Sequence, residues 1–301
     1  MLFSSHTVSA TNVGIQTTDC PLTEGVMRTF VKLSANHTGG WDSDFAEYSG
    51  GGQWREYAIS TCPYDGFTLY GEDIAPIQDE ALANRLRARL EEHLVGLPPI
   101  SELPVWDRYL VAAEMYKEMD REPLFMAHLY MQAAWTARDA AVGVFHGLEG
   151  PVNARDLITQ GEVELETQQD PSLRKILLHN LARIAHRGGY SDERTRFINA
   201  FEEIGSLSSE ESQALTTFRS VSENIEPSLL ALAAEQMHLH LASSSEVEST
   251  SMGAWCNYII ADIARRGGDN TQARHHYQLV LGSNGATEQM KELAEYLIET
   301  L

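Results

Sequence analysis

The 301-residue sequence is poor in cysteine and in positive charge. Its three cysteines, Cys20, Cys62 and Cys256, form an odd and sparse set, which suits a reducing compartment better than a disulfide-stapled secreted domain. Lysine and arginine number 22 against 43 aspartates and glutamates, a formal charge of −21. A field of that sign repels phosphate backbones and anionic headgroups, so nucleic acid and membrane surfaces are not expected partners. No stretch reaches the ~18 consecutive apolar residues that a membrane-spanning helix needs. Even 126–144 is broken by His128, Gln132, Arg138 and Asp139. The opening residues, MLFSSHTVSATNVGI, lack the basic start and unbroken apolar centre of a secretory signal. Together these absences lead us to expect a soluble protein of the cytoplasm.

What is present is ordinary folded-protein composition, with 43% hydrophobic and 22% charged residues. Two textures divide it. Residues 1–75 carry turn formers (Gly39-Gly40, Gly50-Gly51-Gly52, Pro63, Gly66, Gly71) and short alternating runs, which read as strands and loops. From about Asp79 the spacing of apolar residues shifts to three and four, the period of a helix. Residues 76–301 are therefore expected to be nearly all α. The pattern predicts helices at 79–95, 104–120, 123–145, 151–168, 171–188, 191–204, 208–223, 227–243, 251–266, 269–282 and 286–300. Pro123, Pro151, Pro171 and Pro227 stand where a helix start tolerates a missing N–H, and Gly188-Gly189 and Gly267-Gly268 supply stops.

An octapeptide recurs within the helical part. ARIAHRGG, Ala182 to Gly189, returns as ADIARRGG, Ala261 to Gly268, identical at six of eight positions and 79 residues further on. That offset is about twice the length of a helix-pair repeat. Ala182 and Ala185, like Ala261 and Ala264, lie three apart on one face and allow close approach of a second helix. The second copy continues through Gly267-Gly268-Asp269, Ala273 and Tyr277 in a way that resembles a tetratricopeptide hairpin. The first copy has Arg194 and Ile198 where the second has Ala273 and Tyr277. A regular tetratricopeptide-like array and a generic α-hairpin bundle both stay open.

Near the N-terminus, Cys20-Pro21-Leu22-Thr23 and Cys62-Pro63-Tyr64-Asp65-Gly66 each resemble the first half of a zinc knuckle, C-P-x-C-G, with the second thiolate replaced. With 57–73, the Ala133-Ala134-Trp135 centre of 124–138 and the C-terminal hairpin, they make the chain similar to a bacterial family of unknown function. That family joins a double-knuckle zinc ribbon to a tetratricopeptide-like helical domain. Carried over position by position, the resemblance implies Cys20 and Cys62 as metal positions and Asp65 as an oxygen donor, in a site here degenerate. A structural zinc usually takes four good ligands, and His37 is the nearest further donor in sequence. A metal-free remnant, held by the aromatics Trp41, Phe45, Tyr48, Trp54, Tyr57, Tyr64, Phe67 and Tyr70, is the expected state. A Cys20–Cys62 disulfide needs the two knuckles to face each other, and a reducing cytosol argues against it.

No local catalytic signature is found: neither a phosphate-cradling nor a dinucleotide glycine motif, no H-E-x-x-H and no G-x-S-x-G. The histidine pairs His238/His240 and His275/His276 diverge around a helix, and His179/His186 lie two turns apart. Glu91-Glu92, Glu162/Glu164/Glu166, Glu202-Glu203 and Glu210-Glu211 read as solvated faces. Cys256, within a helix, reads as a structural thiol. No catalytic residue and no organic cofactor are expected. The expectation is a scaffold or adaptor whose helical groove binds a protein with a basic or mixed-charge surface. An enzyme with dispersed residues, or a zinc-dependent regulator, are the alternatives.

Overall fold

The structure, a computed structural model, describes residues 11–36, 38–143, 147–244 and 246–301. Strands β1 (Asn12–Asp19), β2 (Val26–Ser34), β3 (Gly40–Trp41), β4 (Ile59–Thr61) and β5 (Thr68–Tyr70) precede helices α1 (Glu80–Leu94), α2 (Val105–Glu118) and α3 (Pro123–Val142). A short strand β6 (Leu148–Glu149) leads into α4 (Gly150–Thr167), α5 (Pro171–Gly188), α6 (Ser191–Glu203) and α7 (Ser209–Ser220). The chain ends with α8 (Glu226–Ala242), α9 (Ser251–Arg266), α10 (Asn270–Gly282) and α11 (Glu288–Glu299). The fold is mainly helical with a small N-terminal strand region. No helix among the described residues is long and apolar enough to cross a membrane.

Compactness groups the chain differently from texture. One unit comprises Met1–Thr38 and Tyr48–Ala137, the other Gly39–Glu47 and Arg138–Leu301. The change of period near residue 75 thus marks where strands give way to helices, while α1, α2 and most of α3 pack with the strands. The cause is apolar burial: Leu86 and Leu90 of α1, and Tyr109, Met115 and Tyr116 of α2, are buried with the hairpins. Tyr116 ties the two layers by donating to Asp73 Oδ2 at 2.6 Å and accepting from the Tyr70 amide at 3.0 Å.

In that first unit β1 and β2 form an antiparallel hairpin, and β4 and β5 another. Cys20 opens the first turn, its amide donating to Gly25 O, and Cys62 opens the second, its amide donating to Phe67 O. The two turns lie against each other. Gly25, at φ +137°, has no room for a Cβ because the Tyr64 ring of the other turn occupies that space. The sulfurs of Cys20 and Cys62 are joined as a disulfide, with Cα atoms 5.7 Å apart.

The second unit pairs consecutive helices, α4 with α5, α5 with α6, α8 with α9, α9 with α10 and α10 with α11. Asp170 caps α5 through its side chain and Pro171 starts it, while Gly189, left-handed at φ +75°, ends it. Ser208 and Glu211 form a reciprocal capping box on α7. The alanines of both octapeptides, Ala182, Ala185, Ala261 and Ala264, are buried as their spacing requires. Pro227 lies in the first turn of α8, which follows α7 without a break. Residues 221–225 form a π turn between α7 and α8, and the Glu226 amide reaches back five residues to Val221 O. Widening the turn accommodates a proline that lacks the i−4 donor and would crowd that carbonyl.

Candidate functional site

The octapeptide ends in the last turns of α5 and α9, placing His186-Arg187 and Arg265-Arg266 at corresponding positions. Cations are favoured there because the final carbonyls of a helix are unpaired and carry partial negative charge. The second copy uses its cations on the first. Arg265 donates to Gly189 O at 2.7 Å and Gly188 O at 3.1 Å, and Arg266 to His186 O at 2.9 Å and Arg187 O at 3.1 Å. Asp262 holds both guanidiniums, at 2.5 Å from Arg265 and 2.8 Å from Arg266.

The segment Gly39–Glu47 supplies the remaining anions. Ser43 is satisfied on every side: its amide donates to Arg187 O, its carbonyl accepts from Tyr258 and its hydroxyl donates to Asp262 Oδ2 at 2.9 Å. Trp41 stacks on Phe45, and Phe45 meets the Tyr258 ring, so the aromatics of this segment serve the helical unit. Asp42 and Asp44 converge on Arg138, which has no exposed surface. The Arg138 guanidinium donates to Asp42 Oδ2 at 2.7 Å, to Asp44 Oδ2 at 2.6 Å and to Glu226 Oε1 at 2.6 Å. Burial opposes the charge on Arg138, but Asp44, Glu226 and Asp42 keep it protonated, well above the usual range. Burial likewise works against the Glu226 carboxylate, and Arg138 with His186 holds its pKa well below the usual carboxylate range.

This ionic centre opens into a cleft of about 150 Å³. Its polar wall includes His186, Ser191, Arg194, Ser222, Glu226 and Arg266, and its apolar wall Pro227, Leu230 and Ile263. His186 Nε2 lies 2.7 Å from Glu226 Oε2, so that nitrogen carries the proton and Nδ1 is an acceptor. Burial lowers the His186 pKa, which keeps the ring neutral. Nδ1 faces Arg194 Nη1 at 3.5 Å, and the same nitrogen donates to Ser222 O at 3.3 Å. Among the described residues the Ser222 hydroxyl is buried without a hydrogen-bond partner, as is Arg194 Nε. A serine, a histidine and a carboxylate line one cleft, yet no hydrogen bond joins Ser222 Oγ to the ring. A hydroxyl without a base is not an activated nucleophile.

The positions singled out in the sequence fall elsewhere. Cys20 and Cys62 are brought together, bonded to each other instead of standing as two thiolates. Asp65 Oδ1 accepts from the Phe67 amide at 2.9 Å, and Oδ2 is buried without a partner among the described residues. His37 lies outside the described residues. Among the described residues no group of three or more His, Cys, Asp or Glu side chains is placed to hold a metal ion. Cys256 is fully buried, and burial pushes its thiol up to about 12, the mark of an inert packing cysteine. His276 meets His238 from another helix, with ring centres 5.5 Å apart, a pairing that spacing within one helix does not reveal. Trp135 is a buried residue of the first unit.

The centre itself, Asp42, Asp44, Arg138, Arg187, Glu226, Asp262, Arg265 and Arg266, was not legible as a site. Two signals pointed at it, the basic pair in each octapeptide and the Arg138-Asp139 interruption of an apolar helix, while Arg194, standing in the place of Ala273, pointed at the cleft beside it. No protein-family model, no curated protein and no solved structure matches the chain.

Proposed function

We propose that the chain is a non-catalytic scaffold whose helical unit binds a protein segment, in the manner of a tetratricopeptide-like array. On this reading it belongs with proteins joining a degenerate zinc-ribbon-like double knuckle to such an array. The supporting observation is a groove of about 560 Å³ between α5, α6 and α7. Its walls are Ile176, Phe201, Ile204 and Leu215, and Lys175 and Glu211 stand at its rim 3.2 Å apart. Ile176 is 58% exposed, an aliphatic side chain left without cover beside an apolar channel. A segment with one aliphatic or aromatic anchor and basic flanks fits both the channel and a chain of net charge −21. The facing turns of Cys20 and Cys62 support the double-knuckle likeness, with a disulfide where that family would carry metal. The proposed cytoplasmic location rests on the scarcity of cysteine, and the Cys20–Cys62 bond weighs against it.

Panning a displayed peptide library on the full chain tests the reading. Enriched peptides should share an apolar anchor with Lys or Arg beside it, and their affinity should fall as salt rises. Ile176→Asp should weaken them about tenfold or more, the worth of one aliphatic side chain at the centre of an interface. If no peptide is enriched, or if the enriched ones bind Ile176→Asp unchanged, the groove is not the binding surface.

A further inference from the structure

The cleft beside His186 has features that neither the groove nor the packing of the helices requires. Ser222 is only 3% exposed, yet its hydroxyl lacks a partner among the described residues. A buried hydroxyl with no bond has given up its water without compensation, so such a group calls for an explanation. Arg194 is a half-buried cation on which Glu223 and Glu226 act at a distance, with no carboxylate in ion-pair contact among the described residues. Its Nη1 is engaged by Ser222 O and His186 Nδ1, whereas its Nε is buried without a partner and its Nη2 makes no hydrogen bond among the described residues. That leaves one whole edge of a planar fork unused, the edge that matches the two oxygens of a carboxylate.

Glu223 acts on Arg194 through its field alone, with no hydrogen bond between them among the described residues, and the other nearby anions are engaged elsewhere. Glu226 gives Oε1 to Arg138 and Oε2 to His186. Asp262 is held by Arg265 and Arg266. Arg266 is itself spent on Asp262, Ser43 and two backbone carbonyls. The remaining wall, Pro227, Leu230 and Ile263, is apolar and accepts no second charge. A cavity of about 150 Å³ holds a molecule the size of benzene, roughly six non-hydrogen atoms. The π turn contributes to the arrangement, since Ser222 lies within it and Glu226 directly after it, and such turns recur at functional sites.

We propose that this cleft binds a small organic monocarboxylate, the carboxylate seated on the free edge of Arg194 and on the Ser222 hydroxyl, with a short branched apolar body against Pro227, Leu230 and Ile263. The ligand supplies a carboxylate in direct contact with Arg194 and the missing acceptor of Ser222 together. An inorganic oxyanion satisfies the first need and leaves the apolar wall wet. A neutral amide of the same shape brings a single acceptor oxygen and no charge.

The test uses the full chain with isobutyrate as probe, isobutyramide as its neutral match and inorganic phosphate as the oxyanion arm. Binding is read by ligand-observed NMR and by the shift in melting temperature. Isobutyrate should bind saturably and raise the melting temperature, and isobutyramide should do neither. Arg194→Gln should weaken isobutyrate about tenfold or more, because a charge-assisted bidentate contact is removed. Ser222→Ala should weaken it severalfold. Arg194→Lys, which keeps the charge and loses the fork, should fall between wild type and Arg194→Gln. Far-UV circular dichroism confirms that each variant is folded, and Ser222→Ala decides the matter if Arg194→Gln is not. Absence of saturable isobutyrate binding, or binding unchanged in Ser222→Ala and Arg194→Lys, overturns the proposal. Tighter binding of phosphate than of isobutyrate overturns the carboxylate assignment. Ile176→Asp should leave isobutyrate binding intact, which separates this site from the groove.

Discussion

Arg138 shows why one residue type is required at a buried junction. Three carboxylates from distant parts of the chain, Asp42, Asp44 and Glu226, reach a single guanidinium with no exposed surface. A planar fork of five donors meets all three at once, and an ammonium, a single point of charge, does not. A buried ion pair is not by itself a source of stability, because desolvation of both partners offsets their attraction. Breaking one is another matter, since the orphaned charges stay buried. Arg138→Lys should therefore cost about 3 kcal/mol or more in urea unfolding, although it conserves charge. Arg138→Met combined with Asp44→Asn and Glu226→Gln should be less destabilised than Arg138→Met alone. A lysine variant within about 1 kcal/mol of wild type would show that the three carboxylates do not depend on the fork.

At the scale of the element, the two octapeptides allow a comparison inside one molecule. Gly189 and Gly268 stand at corresponding positions and both are left-handed, at φ +75° and +80°. A Cβ on Gly189 would fall on the Arg265 guanidinium, whereas one on Gly268 meets nothing within 4 Å. Alanine at Gly268 should cost about 1–2 kcal/mol, the strain of a left-handed residue with a side chain. At Gly189 the cost should be clearly larger, because the bonds from Arg265 to the end of α5 are displaced as well. Denaturant melts of Gly189→Ala and Gly268→Ala give the order directly, and the reverse order would contradict the capping of one copy by the other. Helix positions were legible at this scale because each rests on local cues, as with Asp170-Pro171 opening α5 and Gly189 closing it. Pro227 does stand in the first turn of α8, but the π turn that joins α8 to α7 leaves no local mark. The site was illegible for a different reason. Asp42, Ser43 and Asp44 meet Arg138, Arg187 and Asp262 only through tertiary folding, and in the sequence they sit among aromatics that suggest another module.

Across the whole molecule, the two units are secured by different means. The first contains the Cys20–Cys62 bond, which closes a loop of sequence separation 42. Restricting the unfolded chain over a loop of that length is worth about 2–4 kcal/mol. Dithiothreitol, or Cys20→Ser with Cys62→Ser, should lower the stability of the first unit by that amount. Melting of the second unit, whose one cysteine is the buried Cys256, should be unmoved. Thiol titration of the unfolded, unreduced protein should find one free thiol, and a count of three would remove the bond from this account.

The segment Gly39–Glu47 also sets the timing of assembly. Its Ser43 bonds to Asp262 and Arg266 across 219 and 223 residues of chain. On a ribosome adding roughly 5–20 residues per second, Ser43 waits on the order of ten to forty-five seconds before Arg266 is synthesised. During that interval Arg138 and Arg187 have emerged, while the α9 carboxylate and guanidiniums that complete the centre have not. A contact of such long range makes closure of the helical unit a late event that pays a large loop entropy in one step. It also means that a fragment beginning at Arg138 carries the arginines of the centre without Asp42 and Asp44, two of the anions that neutralise them.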